Sequence, residues 1–267
     1  MRTDIFRFFL AGDVFGAAGM RCATTLLPEF IQTARIDAVV MNAENATFGI
    51  GLSPEDAEKL FLAGVDVVTG GNHTFEKRDF WPVLESRVQI LRPANFPEGT
   101  PGRGFGIFEK NGFRFGVINL LGREDMYPMD CPFRRADAVL ESWKAEAAPF
   151  PAIVDFHAES NREKEAMGLY LDGRAAAVVG THTHVQTADE RIFAGGTAYM
   201  TDLGMTGADD SVIGVDPENA VKRNLSQVLY KLEPRDGPGS LRGLVVDYDP
   251  VSGRAVRVER IALCEKQ

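Results

Sequence analysis

The 267-residue chain contains only four histidines, His73, His157, His182 and His184. Each falls in a segment rich in hydrogen-bonding and metal-ligating residue types: GGNH ending at His73, DFHAE around His157 and GTHTH ending at His184. A lone histidine is more often a surface group or a hydrogen-bonded core residue than a ligand, so what precedes each one decides. The apolar runs FRFFLAG, DAVVMNA, VDVVTGG, AIVDF and AAVVGT lead into Asp13, Glu44-Asn45, Asn72-His73, His157 and His182-Thr183-His184. Five strand-like runs thus end in potential ligands, which is how the crevice at the carboxyl ends of the strands of an open α/β sheet reads in sequence. Taken singly, Asp13 reads as a helix cap and Asn72 as a turn residue. Those readings leave the histidine clustering unexplained.

The candidate donors are one Asp, one Glu, two Asn and four His, with no thiolate. Such hard and borderline ligands suit Fe, Mn or Zn better than Cu(I) or an iron–sulfur cluster. A closed structural zinc site takes four ligands, so eight convergent side chains point to two ions with open positions. Paired ions sit about 3.5–4 Å apart and clamp the attacking and leaving oxygens of an in-line displacement, typically at phosphorus. Asp13 and Glu44 bring two negative charges against four or more from the metals, which leaves a cationic centre for a phosphate. Glu44 has two oxygens and can bridge, a bridging hydroxide would be the nucleophile, and one histidine is left for proton transfer. The expected chemistry is phosphoester hydrolysis.

GDVFG, NAEN, GGNH, DFHAE, GTHTHVQTADERI and TDLGMTGADDSVIG occur in this order across nearly the whole chain. Together they resemble the YmdB-like branch of the calcineurin-like metallophosphoesterases. The wider superfamily opens with Asp-x-His and bridges its metals with an Asp; this branch lacks that first His and uses a Glu-Asn pair, as at Glu44 and Asn45. The resemblance implies that Asp13, Glu44, Asn45 and His184 hold one metal. Glu44 would also reach a second metal, held with Asn72, His157 and His182, and His73 would be the acid that protonates the leaving alkoxide. The resemblance further implies a two-sheet α/β sandwich flanked by helices, the calcineurin-like metallophosphoesterase fold. With it comes phosphodiesterase activity on cyclic nucleotides, 2′,3′-cyclic AMP above all, and two metal ions, iron ahead of manganese or zinc. Ser160-Asn161-Arg162 and Cys131 depart from the family pattern, at positions expected on the pocket rim.

Two rivals use the same centre: a phosphomonoesterase or nucleotidase, and a regulatory protein that binds metal or nucleotide with incidental turnover. His157-Ala158-Glu159 also matches the H-x-E of zinc deaminases, but the P-C-x-x-C that class needs downstream is missing. A P-loop, a Gly-x-Gly-x-x-Gly fingerprint after a strand and a Ser nucleophile elbow are missing too, which argues against NTPase, dehydrogenase and serine hydrolase readings.

The elements that must position these residues follow βαβα wiring. A Gly-rich turn, VFGAAG, follows Asp13 and leads to a helix over Arg21–Thr33. Ser53-Pro54-Glu55-Asp56 reads as N-cap, N1 proline and acidic first turn of a helix to Ala63. VDVVT, a helix containing Trp81 and Pro82, and VQIL come next. GFGIF and FRFGVIN form a hairpin turning at Asn111-Gly112. Helical patterns follow at Arg135–Ala147, Arg162–Leu171 and Asn219–Leu232, with strands near Ala175–Val179, Ala198–Thr201, Leu241–Tyr248 and Ala255–Ala262. Thr181, Thr183, Asp189 and Asp155 are placed to orient the histidines, since a ligating His usually donates its other ring N–H to a carboxylate or carbonyl.

With 45% hydrophobic and 25% charged residues the chain reads as an ordinary soluble protein. No linker or repeat divides it, so residues 1–267 are expected to form a single metallophosphoesterase domain. A net charge of −9 argues against a long nucleic acid as partner. A small phosphoester or cyclic nucleotide is expected instead, and homo-oligomers are compatible with the chain. Cys22, Cys131 and Cys264 form no CxxC pair and suggest a reducing compartment. FRFFLAG is too short for a signal-peptide core, and no run approaches the roughly 20 apolar residues of a membrane span. The expected location is the cytoplasm.

Overall fold

The computed structural model describes residues 5–146 and 148–266. In chain order the first half comprises β1 Phe6–Ala11, β2 Asp13–Val14, α1 Gly16–Ala34, β3 Ala38–Asn42, α2 Pro54–Leu62, β4 Val67–Thr69, α3 Trp81–Ser86, β5 Ile90–Leu91, β6 Phe105–Lys110 and β7 Phe113–Leu121. The second half comprises α4 Pro132–Trp143, β8 Ala152–His157, α5 Asn161–Tyr170, β9 Ala177–Thr181, β10 Arg191–Ile192, β11 Ala198–Met200, β12 Met205–Ala208, α6 Pro217–Ser226, β13 Gly239–Asp249 and β14 Arg254–Cys264.

Two sheets result. In one, β1, β3, β4 and β5 run parallel side by side, and β13 pairs antiparallel with β1, β12 and β14, while β12 carries β2. In the other, β7, β8, β9 and β11 are parallel, with β6 and β10 antiparallel at the two edges. Because side chains alternate across a strand, β1 serves two cores. Phe8 and Leu10 pack with Phe115, Val117, Ile153 and Val179 between the sheets. Phe9 and Ala11 turn the other way, onto Ala23 and Leu27 of α1 and Ala57 and Leu60 of α2. The outer face of the second sheet is covered likewise, with Ile118, Val154 and Phe156 against Ala136 and Val139 of α4 and Met167 of α5. This is the expected two-sheet α/β sandwich flanked by helices.

The hairpin turns where expected, with Asn111 (φ 54°) and Gly112 (φ 78°) both left-handed as a type I′ turn requires. Ser53 caps α2 by accepting from Asp56 N at 3.2 Å. Three helices differ from expectation. The helix over Arg21–Thr33 starts earlier, at Gly16, because the glycines taken for a turn serve close packing: a Cβ at Gly19 would lie 2.4 Å from Thr206 O. The helix expected at Arg135–Ala147 opens at Pro132, an N1 proline, and stops at Trp143; Ala147 lies outside the described residues. The helix expected at Asn219–Leu232 spans Pro217–Ser226, since Asp216 accepts from the N–H groups of Glu218 and Asn219 and Gln227 ends it in a left-handed cap. Among the described residues, no helix is long and apolar enough to cross a membrane.

Candidate metal centre

The five strand ends meet. Asp13 is in β2 beside Met205 of β12, Glu44-Asn45 follow β3, Asn72-His73 follow β4, His157 ends β8, and His182 and His184 follow β9. His157 Nε2 lies 3.1 Å from Glu44 Oε1 and 2.9 Å from Asn72 Oδ1. His182 Nδ1 is 3.1 Å from His157 Nε2. On the other flank, His184 Nε2 is 3.4 Å from Asn45 Nδ2 and 3.9 Å from Asp13 Oδ1. Asp13, Glu44, Asn45 and His157 are buried. His73 donates its backbone N–H to Glu44 Oε2 at 2.7 Å, and its ring stands at the mouth, 34% exposed, with Nδ1 3.5 Å from Glu76 Oε1. Asp13 caps no helix: the N-cap of α1 is Phe15, and Asp13 Oδ2 instead accepts from His182 N at 3.1 Å.

The turn after β9 is strained. His182 (φ 103°) and His184 (φ 65°) both occupy the left-handed region that non-glycine residues avoid, and such strain collects at functional sites where surrounding contacts over-determine it. Between the two histidines, Thr183 donates from N and Oγ1 to Asp202 Oδ2, at 3.1 and 2.8 Å. Asp202 is itself paired with buried Lys164 at 2.7 Å. Thr183 thus hydrogen-bonds a carboxylate instead of a histidine ring, and bears on His182 and His184 only by holding the turn that carries them. Asp189 likewise serves Thr187 and Thr201 instead of the histidines, because the chain turns away after residue 184.

Thr181 and Asp155 act as expected. The Thr181 hydroxyl donates to Asp155 Oδ1 at 2.8 Å, so its lone pair faces His157 Nδ1 at 2.9 Å. A hydroxyl has one proton, which makes Nδ1 the donor and leaves Nε2 to point at Glu44 and Asn72. Thr69 and Asn42 donate to Asp155 Oδ2 at 2.5 and 3.2 Å and fix the other end of the relay.

The protonation pattern follows from crowding. Burial opposes the charge on His157, but Glu44, Asp13 and Asp155 outweigh it and lift the imidazole to about 9. Burial also opposes ionisation of Glu44, yet His157 and the N–H of His73 bring it down to about 2. Burial raises Asp13 to about 6 against the pull of His184 and His157. Burial and the charge of His157 press His182 down to about 3. One proton therefore sits among two carboxylates and several lone pairs, where a cation would do better.

Three observations test whether metal ions suit this place. Asp13 Oδ1 and Asn45 Oδ1 are buried without a hydrogen-bond partner among the described residues, which is costly unless a cation takes the lone pairs. One ligand atom from each of Glu44, His157 and His182 lies within 4.8 Å of the others. Finally, Gly71 walls the centre: a Cβ there would lie 2.4 Å from both Glu44 Oε2 and His157 Nε2. With oxygen and imidazole donors only, the set fits divalent metals.

Above the cluster lies a cavity of about 310 Å³ walled by Phe15, Asn45, His73, Glu159, His182 and His184 among others. A larger one of about 890 Å³, beside Trp143 and Tyr170, shares no residue with it. Ser160 and Cys131 sit at the N-caps of α5 and α4, and neither they nor Asn161 and Arg162 line the histidine cavity. Glu159 was not among the expected site residues, yet its Oε2 lies 3.1 Å from His182 Nε2. The H-x-E spacing was its only signal. Asn42, Lys164 and Asp202 were missed as well, although Asn42 begins NAEN at the end of β3 and Asp202 lies in TDLGMTGADDSVIG.

The chain is similar over nearly its whole length to known proteins. A 2′,3′-cyclic-nucleotide 2′-phosphodiesterase of Bacillus subtilis is 42% identical over 96% of this chain and 97% of its own length. The crystal structure of a hypothetical protein from Thermus thermophilus superimposes with a TM-score of 0.91 at 38% identity, covering 98% of this chain and all of that one (100%). The NAD nucleotidase of Haemophilus influenzae, with a TM-score of 0.63 at 13% identity over 97% of this chain and 56% of that one, shares the fold alone. Residues 9–261 match the family model described as YmdB-like protein, and the chain belongs to that family.

Proposed function

We propose that the chain is a metal-dependent phosphodiesterase that hydrolyses 2′,3′-cyclic nucleotides, 2′,3′-cyclic AMP foremost. The observation that carries this reading is the meeting of Glu44, His157 and His182 within 4.8 Å beside the partnerless oxygens of Asp13 and Asn45, in a chain 42% identical to an enzyme named for that reaction. Asp13, Glu44, Asn45 and His184 would hold one ion, and Glu44, Asn72, His157 and His182 a second, with iron ahead of manganese or zinc. When bound, the ions supply Lewis acidity and positive charge for the phosphate.

The chain's own residues do the rest. Thr181 and Asp155 hold the His157 ring in one tautomer, and Asp202 holds the turn from which His182 and His184 project. His73, fixed through its backbone to Glu44 and with its ring on the cavity wall, is the proton donor to the departing ribose oxygen. Because both sheets contribute ligands, residues 1–267 work as one domain whose partner is a small phosphoester.

The test is to load the protein anaerobically with Fe(II), or with Mn(II), incubate it with 2′,3′-cyclic AMP and resolve the products by chromatography. Formation of 3′-AMP or 2′-AMP supports the proposal and reveals which ester oxygen leaves. A fully metallated protein that leaves the cyclic ester intact but cleaves a phosphomonoester overturns it in favour of a monoesterase.

A further inference from the structure

Two loops at the mouth of the histidine cavity share an unusual backbone. Phe48 (φ 57°) precedes Gly49 (φ 79°), and Ile213 (φ 49°) precedes Gly214 (φ 101°). Left-handed backbone is uncommon for any residue with a Cβ and an outlier for a β-branched one. Both strained residues present apolar side chains to solvent, Phe48 at 80% and Ile213 at 54% exposure. Single exposed apolar residues are ordinary; two strained ones beside one cavity are not, and strain of this kind collects at ligand clamps.

Phe15 ties the two loops together. A Cβ at Gly49 would lie 2.9 Å from Phe15 Cζ, and one at Gly214 would lie 2.5 Å from Phe15 Cδ1. The same ring meets His184 edge-on, with centroids 5.2 Å apart. Ile213 O lies 2.8 Å from His184 Nδ1; a carbonyl can only accept, so Nδ1 donates and Nε2 is free to face the centre. Gly49 and Ile213 both line the cavity. Lys77 lies over one face of Phe48, Nζ 5.6 Å from the ring centroid, and its Cγ would stand 2.7 Å from a Cβ at Gly51. The loop is thereby braced from one side, while the Phe48 side chain as a whole stays largely open to solvent.

Building on the phosphodiesterase reading of this site, we infer that Phe48 and Ile213 form its nucleobase subsite. The base of a cyclic nucleotide stacks on the exposed ring of Phe48 and rests against Ile213, while its phosphate lies at the histidines. A π-face and an aliphatic wall offer no hydrogen-bond readout, so the subsite selects nucleotides over base-free phosphodiesters and purines, with their larger face, over pyrimidines.

The test compares Mn(II)-loaded wild type, Phe48→Ala and Ile213→Ala, after thermal melts have established that the exposed substitutions leave the fold intact. Two readouts are taken: calorimetric titration with 3′-AMP and with base-free ribose 3-phosphate, and steady-state kinetics on 2′,3′-cyclic AMP and on 1-O-methylribose 2,3-cyclic phosphate. Phe48→Ala is expected to weaken 3′-AMP by about tenfold and to raise KM for the cyclic nucleotide by a similar factor. The base-free ligands and kcat should be unaffected. Equal losses on nucleotide and base-free ligands, or no loss on either, overturn the inference. If wild type hydrolyses neither cyclic ester, the phosphodiesterase reading fails separately, and the titrations alone decide: a loss confined to 3′-AMP upholds the subsite and its absence refutes it.

Discussion

The Lys164 ammonium lies 2.7 Å from Asp202 Oδ2 with both side chains closed to solvent, and that same oxygen takes both donors of Thr183. The pair joins α5 to the turn that carries His182 and His184. Removing one partner of a buried ion pair strands the other, at a cost of about 3–5 kcal/mol. Asp202→Ala, which also frees Thr183, should therefore lower unfolding free energy by about that much and reduce bound metal. Lys164→Met leaves Asp202 its bonds from Thr183 and from Gly204 N and should cost less. Denaturant unfolding with metal analysis of both variants checks the order; equal metal content in Asp202→Ala and wild type would contradict it.

Thr181 should matter to metal affinity more than to the fold. Its hydroxyl links His157 Nδ1 to Asp155 Oδ1, and loss of such an orienting partner typically weakens metal binding by about 10–100-fold. Thr181→Val is expected to show that loss in a calorimetric Mn(II) titration, and Thr181→Ser to restore it. Unchanged affinity in the valine variant would remove the relay from the account.

His73 is expected to separate chemistry from metal binding. Its ring touches the cavity but none of the clustered donors, so His73→Ala should keep its metals and lose about 10²–10⁴-fold in turnover of a cyclic nucleotide. Metal content measured on the inactive variant decides: depletion would make His73 a structural or ligating residue instead.

Metal uptake should release protons. His157 stands at about 9 in the metal-free protein against an ordinary 6.5, and a metal requires its neutral form. A raised pKa stabilises the fold fully below 6.5, and that contribution is lost as pH rises through about 9. Across this window the metal-free protein should melt lower with rising pH while the metal-loaded protein gains, so the gap in Tm should widen. A gap that stays constant from pH 6.5 to 9 would count against a protonated His157.

The gathering of the candidate donors was legible where apolar strand runs end in chemistry. Asp13, Glu44, Asn45, Asn72, His157, His182 and His184 all follow such runs or lie at their ends, and parallel strands deliver their ends to one edge. Partners set by tertiary packing were not legible: Lys164 and Asp202 are 38 residues apart, and although Asp202 lies in TDLGMTGADDSVIG, that motif does not point to its partner. Left-handed backbone at Phe48 and Ile213 has no sequence signal, since both residue types disfavour it. Pro132 and Pro217 were readable N1 positions, but helical apolar spacing further along drew both starts too late. The short strands β2 and β12 pair with each other and β12 with β13, an arrangement set by tertiary packing that no local pattern announces.

The most direct test of the centre is a stepwise titration of Mn(II) into metal-free protein, reading bound metal and hydrolysis of 2′,3′-cyclic AMP on the same samples. Two equivalents per chain are predicted, with turnover rising mainly on the second and both equivalents weakened in Glu44→Gln. Saturation at one equivalent with full turnover, or turnover independent of metal, would contradict a two-ion centre built on Glu44.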